Sequence, residues 1–358
     1  MRLFLALIAF IGLLQTGCGK FFTNSKGGGG GGGNSTTTFV YAASSSGVFA
    51  FKADLTNGTL TTLSGSPSQT GPTPSVMVVD PKNRFLYVGT STGINGFGIN
   101  SDGTLNALSL TNTQVISPVG LAASANFLYA VDNSFNNLSA FTINSDGTVS
   151  PITNGTFQLS AVPSGLVIDP PAQHLYVALG TTGILTVNIN SDGSLNPNTN
   201  NIVAPSSLAG TFTHLAITPN GKNLYATANG GVVAFSFDSN GIPTPLSSGA
   251  VVSTGGTNPA AAVVDSNSSF LYVTNQGSAN VASFSITNSG LITPVTNSPF
   301  STGSAPVGVA VSSNSNFVFV ANSSGVQTFA VDSSTPGKLN AKATVNAGNN
   351  PAAIATLH

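Results

Sequence analysis

Six tyrosines are spread along this chain at nearly constant intervals, and that interval constrains the fold more than any other feature. Tyr41, Tyr87, Tyr129, Tyr176, Tyr225 and Tyr272 stand 46, 42, 47, 49 and 47 residues apart, and Phe319 takes the next slot another 47 residues on. Each sits in a short apolar run: Phe39-Val-Tyr-Ala, Phe85-Leu-Tyr-Val, Phe127-Leu-Tyr-Ala, His174-Leu-Tyr-Val, Asn223-Leu-Tyr-Ala, Phe270-Leu-Tyr-Val and Phe317-Val-Phe-Val. A period of roughly 40 to 50 residues built from short apolar runs marks a β-propeller with one blade per repeat. Seven runs predict an all-β, seven-bladed propeller of four-stranded blades, with repeats starting near residues 39, 85, 127, 174, 223, 270 and 317.

A run of small residues precedes each repeat but the first, as in Pro118-Val-Gly-Leu-Ala-Ala, Pro163-Ser-Gly-Leu-Val-Ile and Pro306-Val-Gly-Val-Ala-Val. Crowding around a common axis selects such residues, so these are the expected innermost strands. The Leu-Tyr runs are then second strands, and alternating runs such as Val232-Val-Ala-Phe-Ser-Phe are third strands. Asn100-Ser-Asp-Gly, Asn144-Ser-Asp-Gly and Asn190-Ser-Asp-Gly supply the hairpins to the outer strands. The first repeat lacks an inner strand, whereas Pro351 to Leu357 forms one with no blade of its own. The C-terminal strand is therefore expected to pair with the N-terminal blade and close the ring.

The sequence divides into three parts. Arg2 and the apolar run Leu3 to Leu14 have the form of a signal peptide over residues 1–17, too short for a membrane span. Leu14-Gln-Thr-Gly-Cys18 resembles a bacterial lipobox, with Gln15 where an aliphatic residue is usual, and it contains the only cysteine. Acylation of Cys18 would hold the protein on a membrane. Residues 18–38, with the run Gly27 to Gly33, form a tether, and 39–358 form the propeller. The expected location is the bacterial cell envelope, lipid-anchored at the outer membrane or cell surface. With 5% charged residues and a formal net charge of −1, the chain has no basic field for nucleic acid.

The repeats resemble the lactonase-type and YVTN-type seven-bladed propellers over residues 39–357, and Tyr272-Val-Thr-Asn275 is the YVTN tetrapeptide itself. The resemblance spans lactone hydrolases similar to 6-phosphogluconolactonase and non-enzymatic surface proteins. In the hydrolases a Gly-Pro-Arg-His run opens one inner strand and an Asn-Glu pair follows the next strand, and the resemblance implicates that Arg and Glu in catalysis. Here His214 is kept, while Thr213 stands in place of the Arg and Asn229 in place of the Glu. The chain contains no Glu, and beyond the signal peptide its one Arg is Arg84, in a turn. Opening a charged lactone needs a cation for the substrate and a base for water, and neutral Thr and Asn supply neither.

His214 is the leading candidate site residue. It is an imidazole at a position occupied elsewhere by Val76, Gly120, Gly165, Ala261, Gly308 and Ala353. The loops after the second strands bring a further set of polar residues to the same mouth of the ring: Asp132, Asn133, Asn229, Asn275, Gln276 and Asn322, beside Thr213. The recurring Asp residues, such as Asp80, Asp102 and Asp169, read as turn caps, and no spacing of His, Cys and Asp predicts a metal. No cofactor is expected. The sequence by itself points to an envelope binding or scaffold protein for a polar small molecule, a carbohydrate or another envelope protein. The alternative is a lactone hydrolase using His214.

Overall fold

Phe85–Thr90, Asn223–Ala228 and Phe317–Asn322 are buried at every position, which requires sheets covered on both faces. The computed structural model describes residues 36–110, 113–203 and 211–358 and builds them into seven antiparallel sheets. Blade 1 takes 37–62 with 353–356, blade 2 takes 74–108, blade 3 takes 118–158 and blade 4 takes 165–203. Blades 5, 6 and 7 take 215–253, 259–301 and 308–345. In blades 5 and 6 the outermost strand is split into two short pieces. The signal-peptide and tether residues, including Cys18, lie outside the described residues apart from the end of the tether.

Each inner strand touches the inner strands on either side, all the way round the axis. Closure is as the sequence implies. Ala353–Thr356 pairs antiparallel with Thr37–Ser44, Val40 lying opposite Thr356 and Ala43 opposite Ala353. His358 and Asn83 exchange two further hydrogen bonds of 3.0 Å, pinning the chain end to blade 2. The first strand starts at Thr37 rather than Phe39, because Thr37 and Thr38 continue the ladder opposite Asp54 and Ala53.

The tyrosines join the blades. Tyr87 of blade 2 donates its hydroxyl to the Gly147 carbonyl, in the hairpin before the outer strand of blade 3, at 2.9 Å. The same bond links Tyr41 to Gly103, Tyr129 to Gly193, Tyr176 to Gly241 and Tyr225 to Gly290. Gly103 and Gly147 have φ of +84° and +86°, and a Cβ at either would collide with the ring of Phe39 or Phe85 of the preceding blade. The turn therefore requires Gly for its backbone and for its neighbour. At Tyr272 the link changes: Ser283 donates to the Gly337 carbonyl at 2.7 Å, and the buried Tyr272 hydroxyl has no partner.

Strand direction gives the disc two distinct faces. The inner strands begin, and the second strands end, on one face, here called the mouth. Turns from inner to second strand and from third to outer strand lie on the other. Asp80, Asp169 and Asp265 cap turns of the first kind, each Oδ1 accepting two backbone amides. Asp102, Asp146 and Asp192 cap turns of the second kind, and the hydroxyl and amide two residues on hold these carboxyls below the usual range.

Candidate functional site

His214 immediately precedes the inner strand Leu215–Ile217 of blade 5, at the mouth. Its direction follows from its counterparts. A Cβ at Gly120 would meet Leu166 of the next blade, one at Gly308 would meet Ile354, and one at Gly165 would meet the His214 backbone. The slot thus faces the following blade, and Ala216, two residues further on, packs in one cluster with Val264, Leu271 and Val273 of blade 6. Across that seam blade 6 presents Ala260-Ala261-Ala262, each half-buried.

The backbone around His214 is held by a threonine pair. The His214 amide donates to Thr227 Oγ1 at 2.9 Å, and the Thr227 amide returns a bond to the His214 carbonyl at 2.9 Å. Thr213 Oγ1 lies 2.8 Å from Thr227 Oγ1. Either hydroxyl can donate in that contact, and Thr227 Oγ1 also lies 3.3 Å from the His214 carbonyl, to which it can donate. In blades 2 and 4 the residue equivalent to Thr213 bridges to the next blade instead, Ser75 to the Pro118 carbonyl and Ser164 to the Phe212 carbonyl. The blade 5 to blade 6 seam lacks this bridge.

The His214 ring is half-buried, and its Nδ1 is fully covered with no hydrogen-bond partner. Burial without a compensating charge disfavours the imidazolium and lowers the pKa from 6.5 to about 4. The ring is therefore neutral over the physiological range.

The other expected mouth residues divide by burial. Asp132 accepts the amides of Ile116 (2.6 Å), Ser117 (3.2 Å), Ser134 (2.7 Å) and Phe135 (3.3 Å), so its carboxylate is occupied in folding two loops together. Asn275 is buried and bonds Thr254 and Asn280, and Asn322 is buried and accepts the Ser324 amide. Each pins a loop at the end of its second strand. Asn133, Asn229 and Gln276 are exposed at the mouth. The structure thus gathers all of these residues on one face but leaves only the exposed three and Thr213 beside His214 open to a ligand. Thr227 is the residue that sequence reading missed; its signal is position, since the inner strand's pairing places it opposite His214.

Charge is segregated between the faces. Among the described residues the mouth carries no Lys or Arg and one carboxylate, Asp132. The opposite face carries Asp54, Asp80, Asp102, Asp146, Asp169, Asp192, Asp238, Asp265 and Asp332 with Lys82, Arg84, Lys222 and Lys338. Arg84 is itself tied down, its Nε on Asp80 at 2.9 Å and its Nη2 on the Ala125 carbonyl at 2.8 Å. His174 on that face is bonded through Nδ1 to Asp169 at 2.8 Å. A shallow cleft of about 540 Å³ beside Arg84 and a second of about 370 Å³ beside Thr92 both lie away from His214.

A model of the family described as "Lactonase, 7-bladed beta-propeller" matches residues 87–208 and 207–297. These matches cover more than half of the chain, and the chain belongs to that family. A search of curated proteins gave no match. Among solved structures, a candidate 6-phosphogluconolactonase of Bacteroides fragilis superposes with a TM-score of 0.78 at 20% identity, covering 90% of this chain and 99% of its own. The periplasmic gluconolactonase PpgL of Pseudomonas aeruginosa superposes with a TM-score of 0.74 at 19% identity, covering 90% of this chain and 99% of its own. At such identities the likeness is one of fold.

Proposed function

We propose that this protein hydrolyses an uncharged lactone at the mouth of the ring, with His214 as the general base. Membership of the lactonase family supports the reaction class over a purely scaffolding role. The observation that carries the residue assignment is the neutral, unpaired imidazole in a slot that is Gly, Ala or Val in the other six blades. With Nδ1 covered, Nε2 takes a proton from water as the water oxygen adds to the lactone carbonyl carbon. The ring C–O bond then breaks, and the imidazolium returns the proton to the leaving alkoxide, giving the open hydroxy acid. The Thr213 hydroxyl, where related hydrolases hold an Arg, donates a hydrogen bond without a charge.

Among the described residues no cation stands at the mouth, and this sets the substrate's charge. A phosphate or carboxylate drawn into this face would lose hydration with no counter-charge to replace it. The expected outcome is turnover of glucono-δ-lactone above the buffer rate, little or none of 6-phosphogluconolactone, and a loss of at least about 100-fold in His214→Ala. Comparable turnover of the phosphorylated substrate would defeat the charge argument. No turnover of either favours the second reading, a lactone-fold binding protein, which the missing Arg and Glu also favour.

A further inference from the structure

Asparagine followed by glycine is a chemically reactive pair. The Asn amide is labile, and Gly, with no Cβ, lets the side-chain carbonyl carbon come close to the next backbone nitrogen. The sequence holds six such pairs, beginning at Asn57, Asn95, Asn154, Asn220, Asn229 and Asn240. Folding protects a pair in two ways: hydrogen bonds hold the Asn side chain elsewhere, or an acceptor or close packing shuts off the Gly amide.

Five of the six are protected. Asn57 donates through Nδ2 to Asp54 at 2.9 Å and accepts the Thr59 amide at 2.8 Å, while the Gly58 amide donates to the Asp54 carbonyl. Asn95, inside a strand, accepts the Thr70 hydroxyl and the Gly71 amide on Oδ1. Asn220 Oδ1 accepts the Lys222 amide, and the Gly221 amide donates to the Thr218 carbonyl. After Asn240, the Gly241 amide donates to the Asp238 carbonyl at 3.1 Å. After Asn154, Gly155 is buried in an irregular part of the outer strand of blade 3, where a Cβ would stand 2.8 Å from the Ile152 carbonyl oxygen and 3.0 Å from that of Ala140.

Asn229 has neither protection. It is exposed in the turn between Asn223–Ala228 and Gly231–Phe237. Among the described residues its side chain makes no hydrogen bond, and the Gly230 amide has no acceptor. Gly230 has a φ of +74°, and nothing lies within 4 Å of the place a Cβ would take. The turn is anchored from its other side, the Gly230 carbonyl accepting the Thr254 amide at 3.1 Å and the Thr254 hydroxyl at 3.3 Å.

We propose that Asn229 is a self-modification site, at which the Gly230 nitrogen converts the exposed side-chain amide into a carboxylate. That nitrogen, giving its proton to water, adds to Asn229 Cγ; the Cγ–Nδ2 bond breaks, and Nδ2 leaves as ammonia. Water then adds to one of the two carbonyls of the five-membered imide, whose C–N bond opens as the nitrogen regains a proton. The product at 229 is Asp, or its isomer with the backbone routed through the side-chain carboxyl carbon, and either carries one new negative charge. Water is the only co-reactant. An exposed carboxylate keeps its hydration, so it forms without a burial penalty. It stands where the hydrolases that the repeats resemble carry a Glu, and it gives the mouth a carboxylate in addition to Asp132. The chemistry is independent of whether the ring hydrolyses a lactone.

The test incubates the full chain at mildly alkaline pH, folded and in denaturant, and follows each pair by peptide mapping. Chymotryptic cleavage after Tyr225 and Phe235 separates Asn229 from the other five. In the folded protein the 226–235 peptide is expected to gain the mass of amide-to-acid conversion, with an isoaspartyl signal, before any other pair changes. The intact protein should meanwhile shift to later elution on anion exchange. Asn229→Gln, which leaves the Gly230 conformation in place, should abolish that first shift. In denaturant, where the protection of the other five is gone, all six should convert together. An Asn229 peptide that stays unchanged in the folded protein while the unfolded chain converts overturns the proposal. So does another pair that converts ahead of it in the folded protein, or a common rate for all six there.

Discussion

At the scale of single residues the site depends on one protonation equilibrium. Burial lowers the His214 pKa to about 4, whereas an exposed histidine titrates near 6.5. Between those values the unfolded chain binds a proton that the folded protein does not, so His214 takes stability away as pH falls from about 6.5 to about 4 and has no effect above that window. In the proposed hydrolysis a His214 base would remain competent down to the folded value. The acid limb of kcat/KM is expected to have its midpoint near pH 4, in protein shown by circular dichroism to be folded at each point. A midpoint between 6 and 7 would assign the base to a more exposed group. His214 was legible in the sequence because an imidazole among Gly, Ala and Val is conspicuous. Its missing partner was not, and neither was the use of Asp132, because four amides from two loops converge on that carboxylate only after folding.

At the scale of elements the unit is a pair of blades rather than a blade. The Tyr of each second strand and the Gly of each hairpin recur visibly along the chain, but the bond between them spans 60 to 65 residues and crosses a blade boundary. Periodicity reveals each partner and is silent about the link, which depends on how one twisted sheet is set against the next. The exception at Tyr272 supplies an internal control. Tyr87→Phe leaves the buried Gly147 carbonyl without its donor and should cost about 1–3 kcal/mol. Tyr272→Phe removes a hydroxyl that already lacks a partner, so it should cost about nothing or stabilise the fold. Denaturant melts of the two variants decide the matter: equal losses would show that the tyrosines act only through their rings.

At the scale of the whole molecule, the ring separates charge between two faces. Among the described residues nine Asp carboxylates and four cations crowd the face of the capped turns, and the mouth carries one carboxylate and no cation. That division was hidden in the sequence, where Asp residues recur without indicating that successive turns share a face. Ring closure, by contrast, was legible because the surplus inner strand and the strandless first repeat are complementary. Closure also carries the last prediction. Ala353–Thr356 supplies the innermost strand of blade 1, and Ala353 and Ile354 pack into the two clusters on either side of that blade. Without this strand the second strand of blade 1 has an open edge at the axis, and both neighbouring blades lose a wall. Every other inner strand is held by contact with its neighbours, so the loss should spread round the ring rather than remain local. Removal of 351–358 should therefore abolish the single cooperative thermal transition, a larger effect than any one core truncation of about 2–5 kcal/mol. A shortened chain that melts in one step at the full-length midpoint would mean that six complete blades and a three-stranded seventh suffice.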